Sequence, residues 1–418
     1  MVIYIIQNIA KAVNKSGKCY CNWWRSKWTR FGNYGCGNNV KILEKRSTCG
    51  KKILVTGNGR CNYYNDNQDN SNFYSSDKDT LSLILTMDRK KEVLEFFNKL
   101  GIVPFVKNGY YYPYSKDAST IRNLLLMECK KSNVEIENEV EVIDVVKNSS
   151  GFTVMSNDKN YFCDKVIFAT GSLAYYKDDT QMTGYNILEK FGHNIMPILP
   201  SLVQLKTDGT FLRDWMGVRC DASVSIFSND ELSMRESGEI LLTDYGVSGI
   251  CIFNISGIAS RNMANNVSTN LKINFVPWFK ENNFMEYLDE RCKSVEEFKI
   301  DRFLEGFLNY KLVNVILKCS GISKDTYYSK LNTTLKMKLV SNITEFSLNV
   351  IGTYGFDRAQ VCTGGVKLSE VNKDTMESLK EKGIFITGEV LDVDGKCGGY
   401  NLEFAFLTGM LAGSNVGK

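Results

Sequence analysis

The chain has 418 residues, a formal net charge of +4, and 43% hydrophobic and 23% charged residues. That length can bury a large core in two or three domains, and a positive charge this small and dispersed argues against nucleic acid as the main partner. Thirteen scattered cysteines with no CxxC pair, and one histidine, His193, argue against a zinc site or a disulfide framework and fit reduced thiols in a cytoplasm.

The opening MVIYIIQNIAKAV is interrupted by Gln7, Asn8 and Lys11 and is too short to span a bilayer. Without a charged n-region or a cleavage site it reads as no signal peptide. From residue 39 the pattern is orderly. NNVKILEK reads as a strand ending at Glu44 and Lys45, and GKKILVTGNGRCN (50–62) as a second strand running into a Gly-Asn-Gly turn. NDNQDNSN is a solvated loop. LSLILTMDRKKEVLEFFNKLG has helical period and stops at Gly101, YYYPYS turns near Pro113, and ASTIRNLLLMECKKS is a second helix. VEIENEVEVIDVVKN, FTVMSND and NYFCDKVIFATG follow as three strands, the last closing on Ala169, Thr170 and Gly171.

At MPILP (196–200) the character changes. SLVQLKTD, ASVSIFSND and GEILLTD are short alternating strands, and 267–341 reads as amphipathic helices. Near Ile351 the α/β pattern returns. In 383–409 the run IFIT is a short buried strand, followed by Gly388 and Glu389, a glycine turn at 395–399 and the apolar LEFAFL. The expected class is α/β: an aberrant segment at 1–38, a Rossmann-like domain from 39–195 and 351–418, and an inserted β-rich, barrel-like and helical module at 196–350.

Several features converge on a dinucleotide. Glu44 ends a strand, where a carboxylate can accept both hydroxyls of an adenosine ribose. Gly57, Asn58 and Gly59 let the backbone approach a ligand, with Arg60 as a cation beside them. Thr170 and Gly171 close a strand where bare backbone can meet the cofactor again, and Gly388 and Glu389 come within reach of sugar or ribityl hydroxyls. Strand, acid, glycine turn and helix in that order present a carboxylate and free helix amides to a polar ligand.

TGNGRCN, VIFATG, HNIMPILPSLVQL, DYGVSG, AQVCTGGV and GEVLDVDGKCGGYN together resemble the aminoacetone oxidase-type, BaiN-like family of FAD-dependent flavoproteins, from about Asn39 to the C-terminus. The resemblance implies a Rossmann-like FAD domain with an inserted module, and flavin redox chemistry on a small molecule with NAD(P)H or O₂ as the other partner. It implies that Glu44, with Lys45 beside it, holds the adenosine ribose and that backbone at Val142 meets the adenine. Gly57, Asn58, Gly59, Arg60, Cys61, Asn62 and Glu389, with Asp392 nearby, would line the flavin nucleotide. Gly398, Gly399, Tyr400 and Asn401 would set amides near the N1–O2 edge of the ring. SLAYYKDDTQMTGY and Ile250 depart from the family's pattern and cloud the substrate. No residue stands out as a general acid or base. His193 reads as structural, and Cys397 as spacing within its glycine turn.

A flavoprotein of this kind opens with a strand and GxGxxG. Before Glu44 this chain has GKCYCNWWRSKWTRFGNYGCG, three of its five tryptophans within six residues. A basic, aromatic RNA-binding arm is one reading and an irregular arm a second. A third rests on codons: tryptophan is always TGG, so reading one nucleotide later turns Trp23, Trp24 and Trp28 into glycine codons. The shifted frame then permits I-G-G-G-A-S-G-L, with Val and Ile at Cys19 to Cys21. Taken as printed, the chain would lack the first strand and the pyrophosphate cradle and would bind FAD weakly or not at all. It would then be a degenerate, non-catalytic remnant.

Overall fold

Parallel strands covered on both faces read as continuous apolar runs, and Val166, Ile167 and Phe168 are all fully buried. In the computed structural model, which describes the backbone of residues 19–22 and residues 40–175, 182–280 and 283–417, these residues lie in a five-stranded parallel sheet. Its order is Ile384–Ile386, Lys165–Phe168, Cys19–Asn22, Val40–Glu44, Glu135–Asn138. Helices Met87–Lys99, Ala118–Lys131 and Tyr400–Asn415 belong to the same unit, which comprises Met1–Ile198 and Val361–Lys418. Helix Tyr400–Asn415 is buried on nearly every side, as a central packing helix must be, and Phe406 stacks with Phe96 and meets Phe97 edge-on.

Several expectations change here. The first strand is present: Cys19–Asn22 runs between Val40–Glu44 and Lys165–Phe168, because a parallel ladder is made by backbone groups that every non-proline residue carries. The missing fingerprint and the aromatic arm, at 23–39, lie outside the described residues. The run KKILV is a helix, Lys51–Val55, entered through Gly50 at φ 88. Strand propensity is a weak prior in so short a run, and the helix turns Lys52 and Ile53 inward together. The helix expected across 81–101 begins earlier and breaks, into Lys78–Ile84 and Met87–Lys99, where Thr86 caps the second piece. The three strands expected between 134 and 171 are five: Glu135–Asn138, Val142–Asn148, Gly151–Ser156, Asn160–Cys163 and Lys165–Phe168.

The second unit, Leu199–Gln360, holds a closed antiparallel barrel. Its order is Leu205–Thr207, Gly246–Ser248, Glu231–Leu242, Arg219–Ser228, Thr269–Asn274, Phe346–Thr353. Ala222, Val224, Ile226, Leu271 and Ile273 are fully buried at alternate positions, which is the period-two pattern of an inward-facing barrel wall. Helix Ile250–Ala264, unforeseen in the sequence, packs on all six strands. Strand Thr269–Asn274 interrupts the stretch expected to be helical before four helices follow, Phe284–Ser294, Ile300–Glu305, Tyr310–Ser320 and Thr333–Thr344. Among the described residues no helix is long and apolar enough to cross a membrane.

Candidate dinucleotide site

The C-terminal motif folds around the end of the parallel sheet. Thr387 donates its backbone N–H to the Phe168 carbonyl at 3.0 Å, tying two strand ends together. Gly388 takes φ +71 and donates its N–H to Thr408 Oγ1 at 3.0 Å. The Tyr185 hydroxyl lies 3.3 Å from the Gly171 carbonyl and 3.2 Å from that of Glu389, so Gly171 and Glu389 are held side by side. Helix Thr183–Lys190 comes so close to Thr170 that a Cβ at Gly184 would lie 2.7 Å from its Oγ1.

Glu389 is buried, and Lys52 Nζ donates to its two oxygens at 2.9 and 2.7 Å. The carboxylate that the sequence assigned to sugar hydroxyls is thus gripped by a buried ammonium. A buried carboxylate needs such a partner, since desolvation otherwise costs it more than any single hydrogen bond returns. Lys52 was missed because it sits in an apolar-looking run; a charge inside KKILV was the available signal.

The glycine turn makes the second wall. Asn401 bonds Gly395 twice through its side chain, accepting from N at 2.8 Å and donating to O at 2.6 Å, and Asn65 Nδ2 donates to the Gly398 carbonyl at 2.9 Å. Gly398 and Gly399 take φ +133 and +98, and a Cβ at Gly399 would meet Tyr64 N at 2.9 Å and Asn62 Oδ1 at 3.0 Å. Only glycine fits there. Helix Tyr400–Asn415 therefore starts with no side-chain cap, and its N-terminal dipole favours negative charge. Tyr400 packs edge-on against Phe73, 5.4 Å between centroids. Asn62 Oδ1 and Glu403 Oε1 are buried without a hydrogen-bond partner among the described residues.

Glu403, also missed, is fully enclosed. Burial pushes its carboxyl up to about 7 against the opposing pull of Lys90 and a 3.4 Å contact from Gln68 Nε2. Lys90 is itself pushed below its ordinary value by burial, and its Nζ donates to the Gln68 carbonyl at 2.6 Å and to Asn70 Oδ1 at 2.7 Å.

Glu44 ends its strand buried, with Oε1 accepting from Arg46 N at 2.8 Å. Val140 N donates to the Glu44 carbonyl at 3.0 Å, which brings the start of strand Val142–Asn148 close by. Gly57, Asn58, Gly59 and Cys61 all take positive φ, and the loop closes on the Thr56 carbonyl through Gly59 N and Cys61 N; Arg60 stands exposed. Two candidates are turned to other tasks. Lys45 pairs with Glu141 at 2.5 Å, and Asp392 Oδ2 accepts from Ser76 N at 3.0 Å, fixing a neighbouring loop. The His193 ring lies between Glu370 (3.1 Å) and Ser378 (2.8 Å), and burial lowers its pKa, an arrangement that joins the chain near 193 to that near 370–378.

The site fits an FAD. Its strand-end carboxylate, its two-glycine turn and its helix start without a side-chain cap are parts a dinucleotide site uses, with Asn62 Oδ1 a buried acceptor beside that turn, while the segment where a pyrophosphate cradle is expected, 23–39, lies outside the described residues.

Residues 33–415 match the family described as HI0933-like protein Rossmann domain. A 3-dehydro-bile acid delta(4,6)-reductase from Clostridium scindens is 34% identical over 374 residues, covering 90% of this chain and 91% of that protein. A ribosomal RNA dihydrouridine synthase from Escherichia coli is 28% identical, covering 88% and 90%. Among solved structures, a 3-ketosteroid-delta4-(5alpha)-dehydrogenase from Rhodococcus jostii RHA1 matches with a TM-score of 0.46 at 13% identity, covering 98% of this chain and 99% of that one. The chain belongs to the HI0933-like Rossmann-domain family and, as the BaiN-like resemblance implied, is an FAD-dependent oxidoreductase.

Proposed function

We propose that this chain reduces a carbon–carbon double bond conjugated to a carbonyl in a small molecule, with NADH or NADPH as the electron source. The observation that carries the cofactor part is the start of helix Tyr400–Asn415, which has no side-chain cap and lies behind Gly398 and Gly399, two positive-φ glycines packed too closely on Tyr64, Asn65 and Tyr110 to admit a side chain. Support for the reaction comes from the relatives' names, since a delta(4,6)-reductase and a dihydrouridine synthase both saturate such a bond. Bound FAD supplies the hydride transfer.

The chain's own residues bind and orient. Glu44 accepts the ribose hydroxyls, with Val142 backbone toward the adenine. Thr170, Gly171 and Gly388 offer close backbone, and Asn62 accepts from the nucleotide. Lys52 holds Glu389 in place for the ribityl chain, and the amides of Gly399, Tyr400 and Asn401 favour negative charge at the ring edge. In this reading the unit with the parallel sheet is the cofactor domain and the unit 199–360 carries the substrate module, strand Phe346–Thr353 taking it past the expected boundary at 350.

The test is reconstitution of the purified chain with FAD, anaerobic reduction by NADH or NADPH, then addition of a 3-oxo-4,6-diene steroid. A stoichiometric flavin spectrum that the pyridine nucleotide bleaches and the dienone restores is the expected result. No bound flavin would leave the degenerate remnant standing. Reoxidation by a uridine-containing ribosomal RNA fragment alone would favour the RNA reading, which the Escherichia coli relative supports.

We infer that the stretch from before Cys19 to about Gly37 is read out of frame, on the tryptophan codons of Trp23, Trp24 and Trp28. The nucleotide sequence tests it: a stop codon there, or no Gly-x-Gly-x-x-Gly in the +1 frame, ends the idea.

A further inference from the structure

A cavity of about 340 Å³ lies within the unit 199–360, on the outer face of the barrel. Because alternate residues of Arg219–Ser228 and Thr269–Asn274 fill the barrel, the intervening Ser223, Ser225, Lys272 and Asn274 stand outside it. The register sets Arg235 and Lys272 on either side of Ser225, and Asn274 opposite Ser223. The result is a polar floor made by three neighbouring strands.

The free groups on that floor are donors. Arg235 Nε donates to the buried Ser225 Oγ at 2.9 Å, which aims the guanidinium while its terminal nitrogens have no partner among the described residues. Asn274 Oδ1 accepts from Val276 N at 2.8 Å, so its amide N–H₂ is the end left over. Lys272 Nζ sits 3.0 Å from Glu345; two cations face one carboxylate, and one positive charge is in excess. The opposite wall is apolar: Val276, Phe279 and Phe284 line it, the two rings 5.1 Å apart. Donors and surplus positive charge on one side and aromatic faces on the other select a ligand that is anionic at one end and flat and apolar at the other. The volume lies in the range that small-molecule sites occupy, roughly 300–1,000 Å³.

We propose that this cavity binds an amphipathic organic anion, its carboxylate, phosphate or sulfonate head taken by Arg235, Ser223 and Asn274 and its ring system laid against Phe279 and Phe284. None of these residues belongs to the dinucleotide site. The probe is 8-anilinonaphthalene-1-sulfonate, titrated into the full chain by calorimetry and fluorescence, beside the neutral N-phenyl-1-naphthylamine. One saturable sulfonate site per chain is expected, with the neutral probe weaker. Arg235→Gln should weaken the sulfonate about tenfold, the loss of one charge-assisted hydrogen bond, and leave the neutral probe unchanged. Glu345→Gln should tighten the sulfonate, which a merely structural role would not produce. Arg235 is exposed on its strand, and an unchanged melting curve confirms that the variant folds. Sulfonate binding that is non-saturating, indifferent to both substitutions, or displaced by ADP would overturn the assignment; the last outcome would move the probe to the dinucleotide site without touching the function proposed for it.

Discussion

The two units place their charges differently. Glu44, Lys52, Lys90, Glu370, Glu389, Asp392, Asp394 and Glu403 are all buried, and all lie in the unit with the parallel sheet; among the described residues of 199–360 no Asp, Glu, Lys or Arg is buried. There the buried polar groups are hydroxyls such as Ser225, Ser256 and Thr269, and the barrel core is apolar, from Val224 and Ile226 to Phe346 and Trp215. Hydrophobic area alone can close a barrel. Burying charge costs free energy, so a unit that does so repeatedly must pair or satisfy each ion, as Lys52 does for Glu389.

The contrast is tested most severely at Lys52. Lys52→Met takes the ammonium away from the buried Glu389 carboxylate, and removing one partner of such a pair costs about 3–5 kcal/mol. Urea unfolding of the variant measures it, and the double variant Lys52→Met, Glu389→Leu should recover most of the loss. A cost as small as that of a surface pair would erase the distinction. In the barrel the comparable damage comes from volume. Ile226→Ala empties a fully buried position and should cost about 3–4 kcal/mol by the same measurement, with flavin content per folded chain unaltered.

What could be read in advance follows the range of the interactions. The motif at 383–409 was legible because its chemistry is local: a short apolar strand, an acid, glycines whose positive φ no other residue tolerates, and a helix start. Helix Ala118–Lys131, capped by Asp117, was legible for the same reason. Lys51–Val55 was misread because five residues carry no period, and only Lys52 reaching Glu389, 337 positions away, shows why the run is helical. The barrel's closure depends on Leu205–Thr207 meeting Phe346–Thr353, a pairing between the ends of the module that no window of sequence contains. Glu403 lies within the run read as the apolar LEFAFL and was given no role there; only three-dimensional packing buries that helix on nearly every side.

Glu403 ties the comparison to pH. Its carboxyl ordinarily titrates near 4.5 and is raised to about 7 by burial. An acid raised on folding holds its proton longer in the native state, so its stabilising share is complete below about 4.5 and is lost as pH climbs through about 7. Glu403→Gln should therefore match the parent at acid pH and gain up to about 2–3 kcal/mol above neutrality, read as the difference between two pH–stability curves. Equal slopes for both chains would mean that the carboxyl is solvated.

The smallest effect is expected where the barrel carries its charges. Arg219 and Glu239 form a 2.7 Å pair with both side chains more than half exposed. Water solvates both ions almost as well apart as together, and holding two long side chains in one geometry costs rotamer entropy, so Arg219→Ala should change stability by less than about 1 kcal/mol. That small change should vanish at high salt, because mobile ions screen an exposed pair, whereas the Lys52→Met penalty should persist, since neither ion of that pair is open to solvent. The ratio of the two salt dependences separates buried from exposed ion pairs more cleanly than either energy alone.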